Sequence, residues 1–122
     1  MRSSSLVLLH GDSHLAHFLM ASLRNSFHAV RAVQSVEDLR SAVANSRAQV
    51  VVLDMEIASL ADVGLLSGDF PGLCIVCVHR LADEQMWAAA LSAGAHDVCS
   101  SADPAAIVAT VRRTVADHPT AA

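Results

Sequence analysis

The sequence predicts a single α/β domain with three layers, in which helices cover both faces of a five-stranded parallel sheet. Two observations lead to this prediction. Hydrophobic residues make up 53% of the 122 residues and aromatic residues only 3%, so the core must consist mainly of aliphatic side chains, which suits an α/β sandwich. Short apolar runs also alternate with longer stretches of helical periodicity, and right-handed crossovers between such strands produce a parallel sheet.

The first two strand and helix units are visible in residues 6–46. The apolar run Leu6–Leu9 predicts a strand, and the segment from Ser13 to Leu23 predicts a helix. We expect the apolar face of this helix to consist of Leu15, Phe18, Leu19 and Leu23. Residues 28–33 predict a weaker strand, and Ser35 is a candidate N-cap of the second helix. The side chains of that helix that should face inward are Leu39, Ala42 and Val43.

The third strand is predicted by four consecutive apolar residues, Val50 to Leu53. Because this run does not alternate with polar residues, it indicates a strand that is buried on both faces. Asp54 follows directly and should lie at the carboxyl end of the strand. Residues 61–66 predict a short third helix, which we expect to be broken by the nearby glycines and proline, namely Gly64, Gly68 and Pro71.

The last two units are predicted within residues 73–113. Residues 73–78 form an apolar run typical of a buried strand, and the segment from Asp83 to Ala93 predicts a helix that Gly94 ends as a left-handed cap. Residues 98–99 predict a short fifth strand. Asp103 and Pro104 then suit the N-cap and the first turn of a final helix.

Composition limits the domain organisation and the partners. We expect one domain over residues 1–118 and a disordered tail over residues 119–122. The net charge is −4 and there is no run of Arg residues, which argues against direct binding of nucleic acid or a membrane surface. No signal peptide or membrane span is apparent, so a cytoplasmic protein is expected. The three cysteines lie in apolar segments without metal-finger spacing and predict buried, reduced thiols: Cys74, Cys77 and Cys99.

Polar residues follow four of the predicted strands. The carboxyl ends of parallel strands form the edge where α/β proteins bind ligands, so these residues should lie together. They are His10, Gly11, Asp12, Asp54, His79, Arg80, Ser100 and Ser101. Asp54 should be central among them, although an Asp after a strand often only stabilises a turn. No nucleophile with a neighbouring base and no glycine-rich nucleotide loop is present, and we therefore expect no enzyme activity.

Two segments carry a resemblance to a known family. QVVVLD at residues 49–54 and ALSAGAHDVCSSADPAAIVATVRR at residues 90–113 resemble the receiver domains of bacterial two-component response regulators. The resemblance covers essentially the whole chain. It implies the flavodoxin-like receiver fold with strand order 2-1-3-4-5, a role in two-component or phosphorelay signalling, and Asp54 as the phosphoacceptor position.

The same resemblance predicts a degenerate active site. In the family, two adjacent acids after the first strand bind Mg²⁺, but His10 and Gly11 occupy those positions here, followed by Asp12. A one-residue shift of the alignment would place Gly11 and Asp12 there instead. The family's Thr or Ser after the fourth strand corresponds to His79, and its Lys after the fifth strand corresponds to Ser101. With few carboxylates and no ammonium group, we expect weak or absent Mg²⁺ binding, no other cofactor, and poor phosphorylation of Asp54.

Three alternatives remain open at this stage. A working receiver could tolerate these losses and be phosphorylated on Asp54. A transition-metal site could use ligands from the set His10, Asp12 or His14, Asp54 and His79, but seven histidines will place some near any crevice, and we expect no metal. Residues 52–68 also faintly resemble the segment of anti-sigma-factor antagonists that presents a phosphorylatable Ser, here Ser59.

The resemblance also implies how the domain would meet its partners. In receivers, the surface formed by the fourth helix, the fifth strand and the fifth helix is the usual dimer or output contact. Candidate interface residues on these elements are Trp87, Arg112 and Arg113. We therefore expect protein partners such as a sensor kinase or an output domain, and a homodimer through this face.

Overall fold

The computed structural model describes residues 5–118, in which five strands alternate with five helices. The elements are β1 (Ser5–Leu9), α1 (Ser13–Leu23), β2 (Ala29–Val33), α2 (Val36–Ser46), β3 (Val50–Asp54), α3 (Leu60–Asp69), β4 (Cys74–His79), α4 (Glu84–Ala93), β5 (Asp97–Ser100) and α5 (Pro104–Asp117). The predicted tail over residues 119–122 lies outside the described residues.

The strands form one parallel sheet in the order β2-β1-β3-β4-β5, which confirms the predicted fold class and strand order. All five residues of the central strand β3 are buried, as expected for a strand covered on both faces. Within residues 5–118, no helix is long and apolar enough to span a bilayer.

Two aliphatic clusters fill the spaces on either side of the sheet. One packs the sheet against α2, α3 and α4, and the other packs it against α1 and α5. Cys77 belongs to the first cluster and Cys74 to the second, because residues three apart in a strand face opposite sides. Burial raises the pKa of Cys74 to about 11 and that of Cys77 to about 12. Both are free thiols as predicted, while Cys99 is free but only partly buried.

The predicted helix termini are confirmed by their hydrogen bonds. Ser35 accepts from the backbone N–H of Asp38, and Asp83 accepts from that of Met86. Asp103 caps α5 in the same way, with Pro104 in the first turn. Gly94 ends α4 with a φ of 125°, a conformation that a residue with a Cβ adopts only under strain. The local signals in the sequence therefore account for where these helices begin and end.

Two predictions about helices were wrong. The third helix is not broken by glycines, because α3 runs without interruption from Leu60 to Asp69. A capping box between Ser59 and Asp62 stabilises its start. In α1, Leu15, Leu19 and Leu23, which are four residues apart, pack inward. The side chain of Phe18, in contrast, is 49% exposed. Phe18 lies beside that row and is therefore not part of the core.

Candidate functional site

A cleft of about 440 Å³ lies at the carboxyl ends of β1, β3 and β5. Six of the residues predicted for this edge line it: His10, Gly11, Asp12, Asp54, Arg80 and Ser101. The remaining lining residues are Leu15, Glu56, Ile57 and Ala102. Sequence reasoning placed Leu15 on the apolar face of the first helix and assigned no role to Glu56, Ile57 or Ala102. The two residues that follow Asp54 by two and three positions could have been expected near its carboxylate, because they begin the loop after β3.

Asp54 is almost fully buried and serves as a hydrogen-bond anchor between two loops. Its Oδ2 accepts from the backbone N–H of Gly11 at 2.9 Å, and its Oδ1 accepts from the backbone N–H of Glu56 at 2.9 Å. Its backbone carbonyl accepts from the N–H groups of Ile57 and Ala58. Hydrogen bonds from backbone donors to a carboxylate are charge-assisted, so the loops after β1 and β3 are held at fixed positions around this side chain.

The backbone of Gly11 lies in contact with the Asp54 carboxylate. A Cβ at position 11 would lie 3.3 Å from Cδ1 of Ile57 and 3.4 Å from Oδ2 of Asp54. The glycine therefore lets the backbone itself contact Asp54, and a larger side chain would require Ile57 to move. Gly11 therefore offers Asp54 its backbone N–H but no side-chain oxygen.

His10 and His79 use their rings to close turns. Nδ1 of His10 accepts from the backbone N–H of Asp12 at 3.0 Å, and Nδ1 of His79 accepts from that of Leu81 at 2.9 Å. Asp, Asn and Ser side chains close the same kind of turn with an oxygen. Each histidine thus preserves the backbone geometry at the end of its strand but contributes no carboxylate or hydroxyl oxygen.

His79 is the last residue of β4 and therefore lies at the predicted edge of the sheet, but its ring closes the turn after β4 and it is not among the residues that line the cleft. His14 is exposed on α1. Among residues 5–118, no three His, Cys, Asp or Glu side chains converge closely enough to hold a metal ion. The side chains considered above as transition-metal ligands therefore do not come together in this part of the chain.

The carboxylate of Asp12 is committed to the first helix. Its Oδ1 accepts from the backbone N–H groups of His14 and Leu15 as the N-cap of α1. The hydrogen bond from Leu15 is the main reason why the pKa of Asp12 is lowered. Asp12 is used as a cap, Gly11 has no side chain, and each oxygen of Asp54 already accepts one backbone hydrogen bond, so the site offers fewer free oxygen ligands for Mg²⁺ than a cluster of carboxylates would.

The positive charge at the cleft comes from an arginine on its rim. The whole sequence contains no lysine, since all eight Lys and Arg positions are Arg, so no lysine from elsewhere in the chain can serve Asp54. Ser101 lines the cleft where the resemblance implies an ammonium group, and its backbone N–H donates to the carbonyl of His79. Arg80 also lines the cleft, but its Nε lies 3.4 Å from Oε2 of Glu56 and its side chain is 74% exposed. Exposed pairs of this kind are weak.

The candidate interface residues do not share one face. Trp87 is 48% exposed on α4. Arg113 pairs with Asp97 of β5 at 3.2 Å, whereas Nε of Arg112 donates to Oγ of Ser26 in the loop between α1 and β2. Arg112 is therefore turned toward α1 and away from the expected interface, and only Trp87 and Arg113 stay candidates for it.

Comparison with known proteins gives a likeness in structure only. No protein-family model matches the sequence, and no curated protein sequence matches it either. The signal receiver domain of a DNA-binding response regulator from Colwellia psychrerythraea has a TM-score of 0.81 at 14% identity, over 93% of this chain and 99% of that one. An orphan response regulator of H. pylori has a TM-score of 0.82 at 18% identity, over 94% of this chain and 99% of that one. The chain has the receiver fold.

A third solved structure extends this likeness to a protein with a different description. A putative pilus assembly-related protein from Burkholderia pseudomallei has a TM-score of 0.73 at 23% identity, over 93% of this chain and 90% of that one. At identities this low, the structural likeness shows the receiver fold alone, and the chemistry of this chain must be judged from its own cleft.

Proposed function

We propose that this chain is an atypical receiver domain of a two-component or phosphorelay signalling protein. It acts through protein contacts, and Mg²⁺-dependent phosphorylation of Asp54 is weak or absent. The observation that supports this most directly is that both oxygens of the Asp54 carboxylate accept hydrogen bonds from backbone N–H groups, those of Gly11 and Glu56. The same cleft has no carboxylate at position 11 and no ammonium group at position 101.

Phosphoryl transfer is sensitive to the loss of a carboxylate and an ammonium group, because its catalysis consists almost entirely of positioning and charge neutralisation. A second carboxylate and the metal that it holds would bring the phosphoryl group and Asp54 together. Arg80 carries positive charge at the rim, but its side chain is largely exposed and lies beside Glu56 rather than Asp54. Position 79 also supplies no hydroxyl to a phosphoryl group on Asp54, because it is a histidine whose ring closes the turn after β4.

One observation favours the alternative of a working phospho-receiver. Arg80 lines the cleft together with Asp54, and its partner Glu56 is 41% exposed at the side chain, so the pair can separate at small cost. A guanidinium freed in this way would take part of the role of the missing ammonium group. The anti-sigma-factor-antagonist alternative receives no comparable support, because the hydroxyl of Ser59 is used as the N-cap of α3.

Incubation with acetyl phosphate and Mg²⁺, followed by intact-mass spectrometry, tests the proposal. We expect the unmodified chain to gain little or no phosphoryl group while an established receiver domain in the same buffer is labelled. A variant carrying His10→Asp, Gly11→Asp and Ser101→Lys should gain labelling that Asp54→Asn removes, because it restores the acids and the cation. Robust labelling of the unmodified chain that Asp54→Asn abolishes would instead support the working receiver.

We also propose that the domain self-associates through the surface of α4, β5 and α5 that carries Trp87. Exposed aromatic side chains are frequent anchors of protein interfaces. Sedimentation at several concentrations should show a dimer that Trp87→Ala weakens. The matched control Phe18→Ala changes an equally exposed aromatic residue on α1 and should leave the dimer intact. A dimer that responds to Phe18→Ala and not to Trp87→Ala would place the contact on the other side of the domain.

A further inference from the structure

Exposed apolar side chains are concentrated on one side of the domain. Within residues 5–118, six large hydrophobic side chains are exposed. Five of them follow the adjacent strands β3 and β4, and only Phe18 on α1 lies elsewhere. The five are Ile57, Leu60, Leu65, Leu81 and Trp87. Single exposed hydrophobic residues are normal, but a group of them on neighbouring elements indicates an interaction surface.

Three of these side chains belong to elements that contact one another. Leu60 begins α3, Leu65 lies on the same helix, and Leu81 lies in the turn before α4. Helix α3 packs against α4. The loops that lead into the two helices are also joined, because Nε of Arg80 lies 3.4 Å from Oε2 of Glu56. The surface that carries these three leucines is called the α3–α4 surface below.

Two of the leucines contribute little to the core of the domain. Leu81 is 71% exposed and Leu65 is 56% exposed, and neither belongs to the two aliphatic clusters around the sheet. A partner that covers them would remove apolar area from water, which is favourable. Leu65 and Leu81 are therefore the expected anchor points of a partner.

The same part of the chain carries the net charge of the protein. Residues 55–96 contain five acidic residues and one arginine, which gives a net charge of −4. The rest of the chain contains seven acidic residues and seven arginines, and these balance. The five acids are Glu56, Asp62, Asp69, Asp83 and Glu84. The excess of negative charge therefore lies on α3, α4 and the loops that lead into them.

The partners of these acids show where negative charge stays available. Glu84 is exposed in the first turn of α4 and forms no ion pair within residues 5–118. Asp62 and Asp83 accept backbone N–H groups at the starts of their helices, which does not neutralise their charge. Asp69 is paired with Arg40 of α2. The acids near the start of α4 are thus free to attract a basic partner.

This combination of apolar area and negative charge restricts the class of partner. A negative surface repels the phosphates of nucleic acids and of anionic membranes. A second copy of the chain is also a poor match, because the residues outside this segment carry no excess of positive charge. An amphipathic helix with lysine or arginine on its polar face offers apolar and basic side chains together.

We propose that the α3–α4 surface binds a basic amphipathic helix of a protein partner. The apolar face of that helix covers Leu60, Leu65 and Leu81, and its basic residues lie near Glu84. This binding rests on the proposed role in protein contacts and names the chemistry of the partner. It is independent of phosphorylation, which intact mass reports, and of self-association, which sedimentation reports.

The test is a titration of the full chain with a synthetic peptide, followed by heteronuclear NMR of the backbone amides. The peptide has about 14 residues, near the length at which isolated helices form in water, with leucines on one helical face and lysines on the other. We expect saturable shifts in α3, in α4 and in the turn before α4, and none in α1.

Two control peptides separate charge from shape. A peptide with glutamate in place of every lysine should bind at least about tenfold more weakly, because its charge is like that of the surface. A peptide of the same composition as the lysine peptide, but with its leucines spread around the helix, should also bind at least about tenfold more weakly, because it has no apolar face.

Four variants of the chain locate the contact. Leu65→Ser and Leu81→Ser should each weaken binding of the lysine peptide about fivefold, because each removes apolar contact area. Phe18→Ser, at an exposed hydrophobic residue of α1, should change nothing. Glu84→Gln should weaken binding about twofold and reduce its dependence on salt. Its matched control Glu37→Gln, in the first turn of α2, should leave both unchanged.

Several outcomes would overturn the proposal. These are the absence of saturable shifts, shifts that map to α1 instead of α3 and α4, or equal binding of either control peptide. Undiminished binding in both Leu65→Ser and Leu81→Ser would equally contradict it. Strong labelling of the unmodified chain at Asp54 would contradict the weak phosphorylation proposed above and would leave the outcome of the peptide titration as it stands.

Discussion

The turn between β1 and α1 and the turn between β5 and α5 connect a strand to a helix at the same edge of the sheet. In both, an Asp accepts backbone N–H groups as the N-cap of the helix, Asp12 in the first and Asp103 in the second. The second turn keeps the Asp-Pro start of the receivers that the chain resembles, although Ser101 stands where they have a Lys, whereas the first turn has His10 and Gly11 in place of both acids. Both turns nevertheless lead into a capped helix, so the course of the backbone here does not require the residues that carry receiver chemistry.

The reason lies in what each property requires. A turn after a strand needs an acceptor for the backbone N–H two residues ahead, and Nδ1 of His10 supplies it as well as a carboxylate oxygen would. A magnesium site needs several oxygen ligands at fixed distances, and a ring nitrogen does not supply one. His and Gly in place of the acids therefore remove negative charge from the site but still allow the backbone conformation of the turn.

The largest effect is expected where the fold depends on backbone conformation. In Gly94→Ala, the new Cβ would lie 2.6 Å from Ser67 at a φ of 125°, and we expect the free energy of unfolding to fall by about 3 kcal/mol. Chemical denaturation measures this. Gly68→Ala, at a helical glycine with no atom within 4 Å of the added Cβ, should leave stability unchanged or raise it by about 0.5–1 kcal/mol. Equal losses in the two variants would show that Gly94 is not a special position.

The next effect tests whether Asp54 anchors its loops. Asp54→Ala leaves the backbone N–H groups of Gly11 and Glu56 without their acceptor and should lower the free energy of unfolding by about 2 kcal/mol. Asp54→Asn keeps one acceptor oxygen and should cost about half of that. In a cluster of carboxylates, removing one charge would instead relieve repulsion. An increase in stability for Asp54→Asn would therefore mean that the cleft is more acidic than the structure indicates.

A smaller effect compares the two turns directly. Asp12→Ala and Asp103→Ala each remove an N-cap and should lower the free energy of unfolding by similar amounts. Addition of millimolar Mg²⁺ should leave both losses unchanged, because Asp12 acts as a cap and not as a ligand. If Mg²⁺ stabilises the unmodified chain but not Asp12→Ala, this carboxylate takes part in a metal site after all.

The smallest effect concerns pH and lies at the other end of the sheet. Burial is the main cause that lowers the pKa of His96, with a further contribution from His118, and Nδ1 of His96 accepts from the backbone N–H of Ile75. The unfolded chain therefore binds a proton at a higher pH than the folded chain does, so this contribution to stability is complete at neutral pH and is lost as the pH falls. The unfolding midpoint should decrease between about pH 7 and pH 5.

His96→Asn is the matched variant for this pH dependence. It offers an oxygen to Ile75 but does not titrate, so it should flatten the decrease in the unfolding midpoint. His28→Asn, at an exposed histidine, should leave the decrease as it is in the unmodified chain. A steeper decrease in His96→Asn would assign the pH dependence to other groups.

Much of the fold could be predicted because local signals and the hydrophobic pattern agree. The apolar run of β3 and the caps at Ser35, Asp83 and Asp103 were each readable from a few residues. The continuity of α3 through its glycines could not be read, because it depends on packing against α4, which is a tertiary contact. The site was predictable as a set of strand ends, but the hydrogen bond from Leu81 to the ring of His79 depends on the course of the turn after β4, which spacing does not reveal.

The central claim is that the carboxylate of Asp54 has too few oxygen neighbours and too little positive charge to hold Mg²⁺. Its most direct test is to follow the amide resonances of Gly11 and Glu56, whose N–H groups donate to that carboxylate, during titration with Mg²⁺. We predict no saturable shift at millimolar Mg²⁺ in the unmodified chain and a clear one in the variant carrying His10→Asp and Gly11→Asp. Saturable shifts of both amides in the unmodified chain, absent in Asp54→Asn, would contradict the claim.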